Sequence, residues 1–308
     1  MLFRRQPIEA SYRRALQWFR DHMVDGRAII VHTKKPVPYP EVTGYFVPTL
    51  YRWNEQEAAR ACTRWLLSIQ FDDGAFPASD GTPYTFDTGQ VLRGLCAAAG
   101  DVEGAEAGLR RAADWLLTQV SDSGRLTTPS VALWGDIASD LIHTYVLPPM
   151  VEASHLTGDA RYRAAAQRAL AYYRAQPELV PFNRLSHFHA YAMEALVELG
   201  ELELAREGMA DAARRQRRDG AVPGYPHVDW VCSTGLAQYA LVWQRLGEFD
   251  RADAAIRWLE KAQNPSGGFF GSYGRNASYI AGAEISWAVK YFLDAWELKL
   301  ERDRAATR

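Results

Sequence analysis

Six short stretches of this sequence carry the residues that could do chemistry, and each lies at the start of an apolar helical segment. In chain order they are Tyr39-Pro-Glu-Val-Thr43, Tyr84-Thr-Phe-Asp-Thr-Gly-Gln90, Trp134-Gly-Asp-Ile-Ala-Ser-Asp140 with His143, Leu185-Ser-His-Phe-His-Ala-Tyr191, His227-Val-Asp-Trp-Val-Cys-Ser-Thr234 with Gln238 after it, and Tyr279 to Glu284. Carboxylates and imidazoles move protons, and two carboxylates flanking a glycosidic bond make a hydrolase. Hydrolysis here would use Asp87 with Glu41 or Asp229. Elimination or epimerisation would instead move the C5 proton of a uronate with Tyr39, His187 or Tyr191. Substrate binding is expected from Tyr84, Gln90, Trp134, Asp136, Asp140, His143, Tyr191, Trp230, Thr234, Gln238, Tyr279 and Glu284. Their aromatic faces suit the apolar faces of sugar rings.

Plainer roles compete with these. Asp87 and Gln90 have the spacing of a capping box, with Asp87 as N-cap and Gln90 at N3. Asp136, Ser186 and Ser233 are also candidate caps. His189 points away from the face shared by His187 and Tyr191, as a satisfied core histidine would. Trp18, Trp65, Trp115 and Trp258 belong to amphipathic segments and are expected in the core.

The elements that must position these residues come from a repeat. Trp65-Leu-Leu-Ser-Ile-Gln70 runs into Asp-Asp-Gly-Ala-Phe76, and Trp115-Leu-Leu-Thr-Gln119 into Asp122-Ser-Gly-Arg-Leu126. Tyr172-Tyr-Arg-Ala-Gln176, Ala213-Arg-Arg-Gln216 and Trp258-Leu-Glu-Lys-Ala-Gln263 repeat the theme. Each unit is an amphipathic helix, a glutamine, a turn and an apolar plug. Apolar helical stretches alternate with these, giving twelve helix starts near residues 8, 43, 55, 87, 103, 138, 159, 187, 201, 233, 248 and 284. Ala28-Ile-Ile-Val31 is the best strand candidate. The odd helices read as an outer ring and the even, apolar ones as an inner ring. Links from inner to outer helices are short, as at Gly100-Asp101 and Gly158-Asp159. The opposite links are long, so one face carries the function. The expected architecture is a single all-α domain over 1–308, an (α/α)6 toroid. Its mouth would gather Tyr39, Glu41, Asp87, His187, Tyr191, Asp229 and Glu284 around one cleft.

Composition bounds the partners. A net charge of -2 over 308 residues, with scattered basic residues, excludes a nucleic-acid or anionic-membrane footprint. No stretch of apolar residues is long enough for a membrane span. Three widely separated cysteines and an N-terminus without an apolar leader core point to the cytoplasm. No CxxC or HExxH occurs, so neither a metal nor another cofactor is expected.

The Gln…Asp-Gly-Ala-Phe units resemble those of terpenoid-cyclase and prenyltransferase toroids. Tyr39-Pro-Glu-Val-Thr-Gly-Tyr-Phe-Val-Pro-Thr49, Phe86-Asp-Thr-Gly-Gln-Val-Leu-Arg-Gly-Leu95, His187-Phe-His-Ala-Tyr191, Ser233-Thr-Gly-Leu-Ala-Gln238 and Trp287-Ala-Val-Lys-Tyr-Phe-Leu-Asp294 are more similar to bacterial α/α-toroid proteins tied to polysaccharide biosynthesis. That group resembles, more remotely, the helical domain of glucuronyl C5-epimerases and the unsaturated glucuronyl hydrolases. The resemblance implies a saccharide or polysaccharide partner, one bearing a uronate included, and association with other polysaccharide-biosynthesis proteins. It leaves three readings: a hydrolase, lyase or epimerase; a non-catalytic glycan-binding scaffold; and a cyclase or prenyltransferase. The last is weakened by the lack of an Asp-x-Asp-Asp acid and of zinc-ligand spacing.

Overall fold

A computed structural model describes residues 9–129 and 140–306. Among them are twelve α-helices: α1 (Glu9–Asp21), α2 (Pro40–Arg52), α3 (Gln56–Ile69), α4 (Thr85–Ala98), α5 (Ala105–Gln119), α6 (Leu147–Thr157), α7 (Ala160–Arg174), α8 (Ser186–Glu198), α9 (Leu202–Arg214), α10 (Ser233–Arg245), α11 (Phe249–Ala262) and α12 (Ser286–Ala306). A 3-10 turn, Ile142–Val146, leads into α6. The strand candidate forms β2 (Ala28–His32), paired antiparallel with β1 (Met23–Val24) and β3 (Lys35–Pro38). Two further short strands, β4 (Val231–Cys232) and β5 (Ser272–Tyr273), pair with each other in the long-loop layer.

The even helices form the inner ring, each packing on the next, and α12 returns to pack on both α1 and α2. The all-α toroid read from the repeat is therefore the fold. Inner helices are buried nearly all round: in α10 every residue from Ser233 to Gln244 is buried. Outer helices bury one stripe, as α3 does with Ala59, Cys62, Thr63 and Leu66.

The glutamine and glycine of the repeat explain the closure. Gln70 Nε2 donates to the carbonyl of its own turn at Gly74 (3.0 Å) and to that of Gly108 on the next outer helix, α5 (2.9 Å). Gly74 has φ +98°, and a Cβ there would sit 2.2 Å from the Arg111 carbonyl oxygen of α5. Only glycine meets both demands. The last unit makes the same clamp across the ring seam. Gln263 Nε2 donates to Gly267 O and to Ser11 O of α1, each at 2.9 Å, and Gly267 packs on Arg14 of α1. Helix 11 thus grips helix 1 as helix 3 grips helix 5. Trp18 and Trp115 are buried, while Trp65 and Trp258 are half-buried at the outer wall.

Candidate active site at the long-loop mouth

Helices α2 and α4 cross closely, and of the two carboxyl groups they carry toward the mouth, Glu41 feels the charge of Asp87. A Cβ on Gly44 would lie 2.6 Å from Val91 Cα, and one on Gly94 would lie 2.4 Å from the Gly44 carbonyl oxygen. Glu41 stands one turn before Gly44, and Asp87 one turn before Val91. The contact therefore holds the two acids at the same end of the inner ring, with burial depriving both of water.

Asp87 is not a helix cap. The cap position of α4 is Tyr84, which makes no side-chain cap bond. Gln90 turns its amide Nε2 to the Phe86 carbonyl at 3.4 Å instead of reaching back. The Asp87 carboxylate accepts the Tyr39 hydroxyl at 2.6 Å. Burial pushes the Asp87 carboxyl up to about 7, and the Tyr39 bond partly opposes that rise by favouring the ionised form. Glu41 takes the Trp287 indole N–H on both oxygens, at 3.1 and 3.0 Å. Burial, then the Asp87 charge, hold Glu41 well above the usual carboxylate range. Burial and Asp87 push the Tyr39 phenol far above its usual range, so its hydroxyl keeps its proton and donates it to the hydrogen bond with Asp87.

Aromatic rings close around this pair. Tyr191 lies between Phe86 (5.1 Å between centroids), Tyr145 (4.8 Å) and His187 (4.4 Å). His187 also faces Tyr279 and Trp287, at 6.3 and 6.1 Å. The His187 Nδ1 meets Gln238 Oε1 at 2.5 Å, and burial lowers the imidazole to about 4, so it is neutral at neutral pH. Tyr84 is buried near both acids and meets His143 edge-on at 6.3 Å. Asp140 accepts Arg125 Nε at 3.1 Å, with His143 Nδ1 3.8 Å away. Thr234 is fully buried on α10. Tyr39, Glu41, Asp87, His187 and Tyr191 thus come together.

Three candidates do not join them. Asp229 is fully exposed and faces Arg217 at 3.4 Å, because the turn before β4 carries it outward. Trp230 is buried in a separate small cluster with Leu185 and Cys232, behind Tyr279. Glu284 accepts Trp18 Nε1 of α1 at 2.6 Å and Asn264 Nδ2 at 2.7 Å, with Ser266 also bonded to it. It ties the seam turn to the outer ring and points away from the mouth. Trp134 and Asp136 lie outside the described residues. Ser186 and Ser233 are not caps either: both fall inside their helices, and Ser233 Oγ donates to Phe270 O at 2.7 Å. His189 is the core histidine expected, held by Tyr239 and by the Val180 carbonyl at 2.8 and 2.9 Å.

Sequence reasoning missed Trp287 and Lys290 on α12 and Glu194 on α8. Lys290 is buried below the acids, 3.0 Å from Asp294 and 3.8 Å from the Tyr291 ring centre. Only the spacing of Trp287, Lys290 and Tyr291, three and four apart on one helix face, marked them. Among the described residues no three His, Cys, Asp or Glu side chains gather as metal ligands, and no helix is long and apolar enough to cross a membrane.

No protein-family model and no curated protein sequence matches the chain. Solved structures do. An unsaturated glucuronyl hydrolase specific for heparin superposes with a TM-score of 0.74 at 13% identity, over 96% of this chain and 97% of that one. An α-amylase from Clostridium perfringens gives 0.73 at 14% identity, over 95% and 99%. An unsaturated glucuronyl hydrolase from Bacillus sp. GL1 gives 0.70 at 18% identity, over 96% of each. The likeness runs nearly end to end in both directions, and the chain therefore has the toroid fold of these carbohydrate-active hydrolases.

Proposed function

We propose that this protein is an enzyme that cleaves a saccharide at the long-loop mouth of the toroid, with Asp87 and Glu41 sharing the proton transfers. The observation that carries the proposal is the buried carboxyl pair itself. Asp87, steadied by Tyr39, gives up its proton first, and its charge then keeps a proton on Glu41. One acid and one base are thus available together near neutral pH, which is what cleavage by general acid and general base needs. In a hydrolytic step Glu41 protonates the departing oxygen as the C–O bond breaks. Asp87 takes a proton from the water that forms the new C–O bond. Tyr191, Tyr279, His187 and Trp287 supply ring faces and hydrogen bonds for the sugar. A passive glycan-binding site has no use for two desolvated acids, each costly to keep buried. The stranded Asp229 also leaves Glu41 as the partner for Asp87.

The substrate class rests on the solved structures described as glucuronyl hydrolases, one specific for heparin and one responsible for the degradation of glycosaminoglycan, which favour a uronate-bearing oligosaccharide. The test is a panel of oligosaccharides ending in saturated or 4,5-unsaturated glucuronyl residues, scored for new reducing ends. Turnover by the wild type and not by Asp87→Asn supports the proposal. Equal turnover by both removes it.

A further inference from the structure

Below the mouth, α8 and α10 face each other with polar side chains spaced seven apart on each. His187 and Glu194 lie on α8, and Gln238 and Arg245 on α10. They interleave as a ladder. His187 Nδ1 meets Gln238 Oε1 at 2.5 Å, and Gln238 Nε2 meets Glu194 Oε2 at 3.4 Å. Glu194 Oε1 lies 3.7 Å from Arg245 Nη1, which also reaches Glu198 at 3.0 Å. His187, Gln238 and Glu194 are all buried.

The ladder has a direction. Burial raises the Glu194 carboxyl, and the Lys290 and Arg245 charges oppose that rise; as the carboxylate facing Arg245 it only accepts, so the Gln238 amide turns its N–H toward Glu194. Turning it over would set the amide oxygen against the Glu194 oxygens among buried side chains. Once the amide is oriented, its oxygen faces His187 and requires a proton on Nδ1. The other ring nitrogen is then left with a lone pair. Nε2 has no hydrogen-bond partner among the described residues. Its ring borders Trp287, whose indole holds Glu41.

The geometry points to Glu194 and Gln238 as positioning residues that fix His187 as the Nδ1–H tautomer, so that Nε2 accepts a hydroxyl of the bound saccharide. The hydrogen bond made by one imidazole nitrogen sets what the other can do. The inference rests on the reading of the mouth as a saccharide site, but the tautomer can be measured without any substrate. Protein labelled with ¹⁵N at histidine would be recorded by long-range ¹H–¹⁵N correlation, with His187 assigned by the loss of its signals in His187→Gln. The expected result at neutral pH is a single tautomer, protonated at Nδ1 and bare at Nε2. A proton on Nε2, or an even mixture, overturns the inference whatever the enzyme does. In Gln238→Met the single tautomer is expected to give way to a mixture, and a tautomer unchanged there would show that the ladder does not set it. Activity lost in Asp87→Asn with the His187 spectrum unchanged keeps the two claims separate.

Discussion

The Tyr39 hydroxyl donates to Asp87 Oδ2 at 2.6 Å, joining the start of one inner helix to the first turn of the next. This bond favours the charged form of a carboxylate that burial would otherwise keep neutral. Removing it with Tyr39→Phe takes a hydrogen bond from an ionised group, an effect of about 1.5–3 kcal/mol. The Asp87 pKa should rise by roughly one to two units. The acid limb of the activity–pH profile should move up with it, and an unmoved limb would assign that limb to another group.

Asp87 should cost the protein stability at high pH. Its folded pKa, about 7, lies above the ordinary 3.8. The folded state therefore holds this proton more tightly than the unfolded chain. Its contribution is complete below pH 3.8 and is lost as pH rises through 7. At about 1.4 kcal/mol per pKa unit the loss is at most about 4 kcal/mol. Asp87→Asn should then unfold like the wild type near pH 4 and be more stable by a few kcal/mol at pH 8. Denaturant melts at both pH values check this.

Gly94 holds α2 against α4, where a Cβ would meet the Gly44 carbonyl at 2.4 Å. Gly94→Ala should push the helices apart at a cost of about 1–3 kcal/mol or more, the usual range for overpacking. It should also separate Glu41 from Asp87 and lower turnover without touching a reacting group. Thermal melts and assays on the folded fraction measure the two effects separately.

Asp229 and Glu284 should behave oppositely to each other, and neither as a catalyst. Asp229→Ala removes an exposed ion pair and should change neither melting nor turnover measurably. Glu284→Ala leaves the Trp18 and Asn264 donators of the seam without an acceptor. About 1–3 kcal/mol of stability should go with it. Chemical denaturation of both variants checks the pair.

Much of the frame was legible because the repeat is chemical. Gln70, Gln216 and Gln263 each clamp a glycine turn to the next outer helix, so the same residue types return at these three hairpins and mark the helix ends, whereas among the described residues Gln119 and Gln176 bond only within their own segment. Tyr39, Glu41 and Asp87 were legible as polar residues at inner-helix starts, a position that the up-down topology gathers at one end. That rule fails where a loop turns its side chain out, as at Asp229, or spends it on a neighbouring helix, as with Glu284 and Trp18. Position along the chain says which end a residue occupies and not which way it points. Glu194 and Lys290 were missed because they lie deeper on the inner helices, where a charge is visible only through its partners, Arg245 and Asp294.

The most direct test measures binding and turnover of one uronate-bearing oligosaccharide by Asp87→Asn beside the wild type. If Asp87 carries a proton in the reaction, binding should stay within several-fold of the wild type. Turnover should fall by roughly 10²–10⁴-fold, the span of a lost general acid or base. Wild-type turnover in the variant would contradict the account.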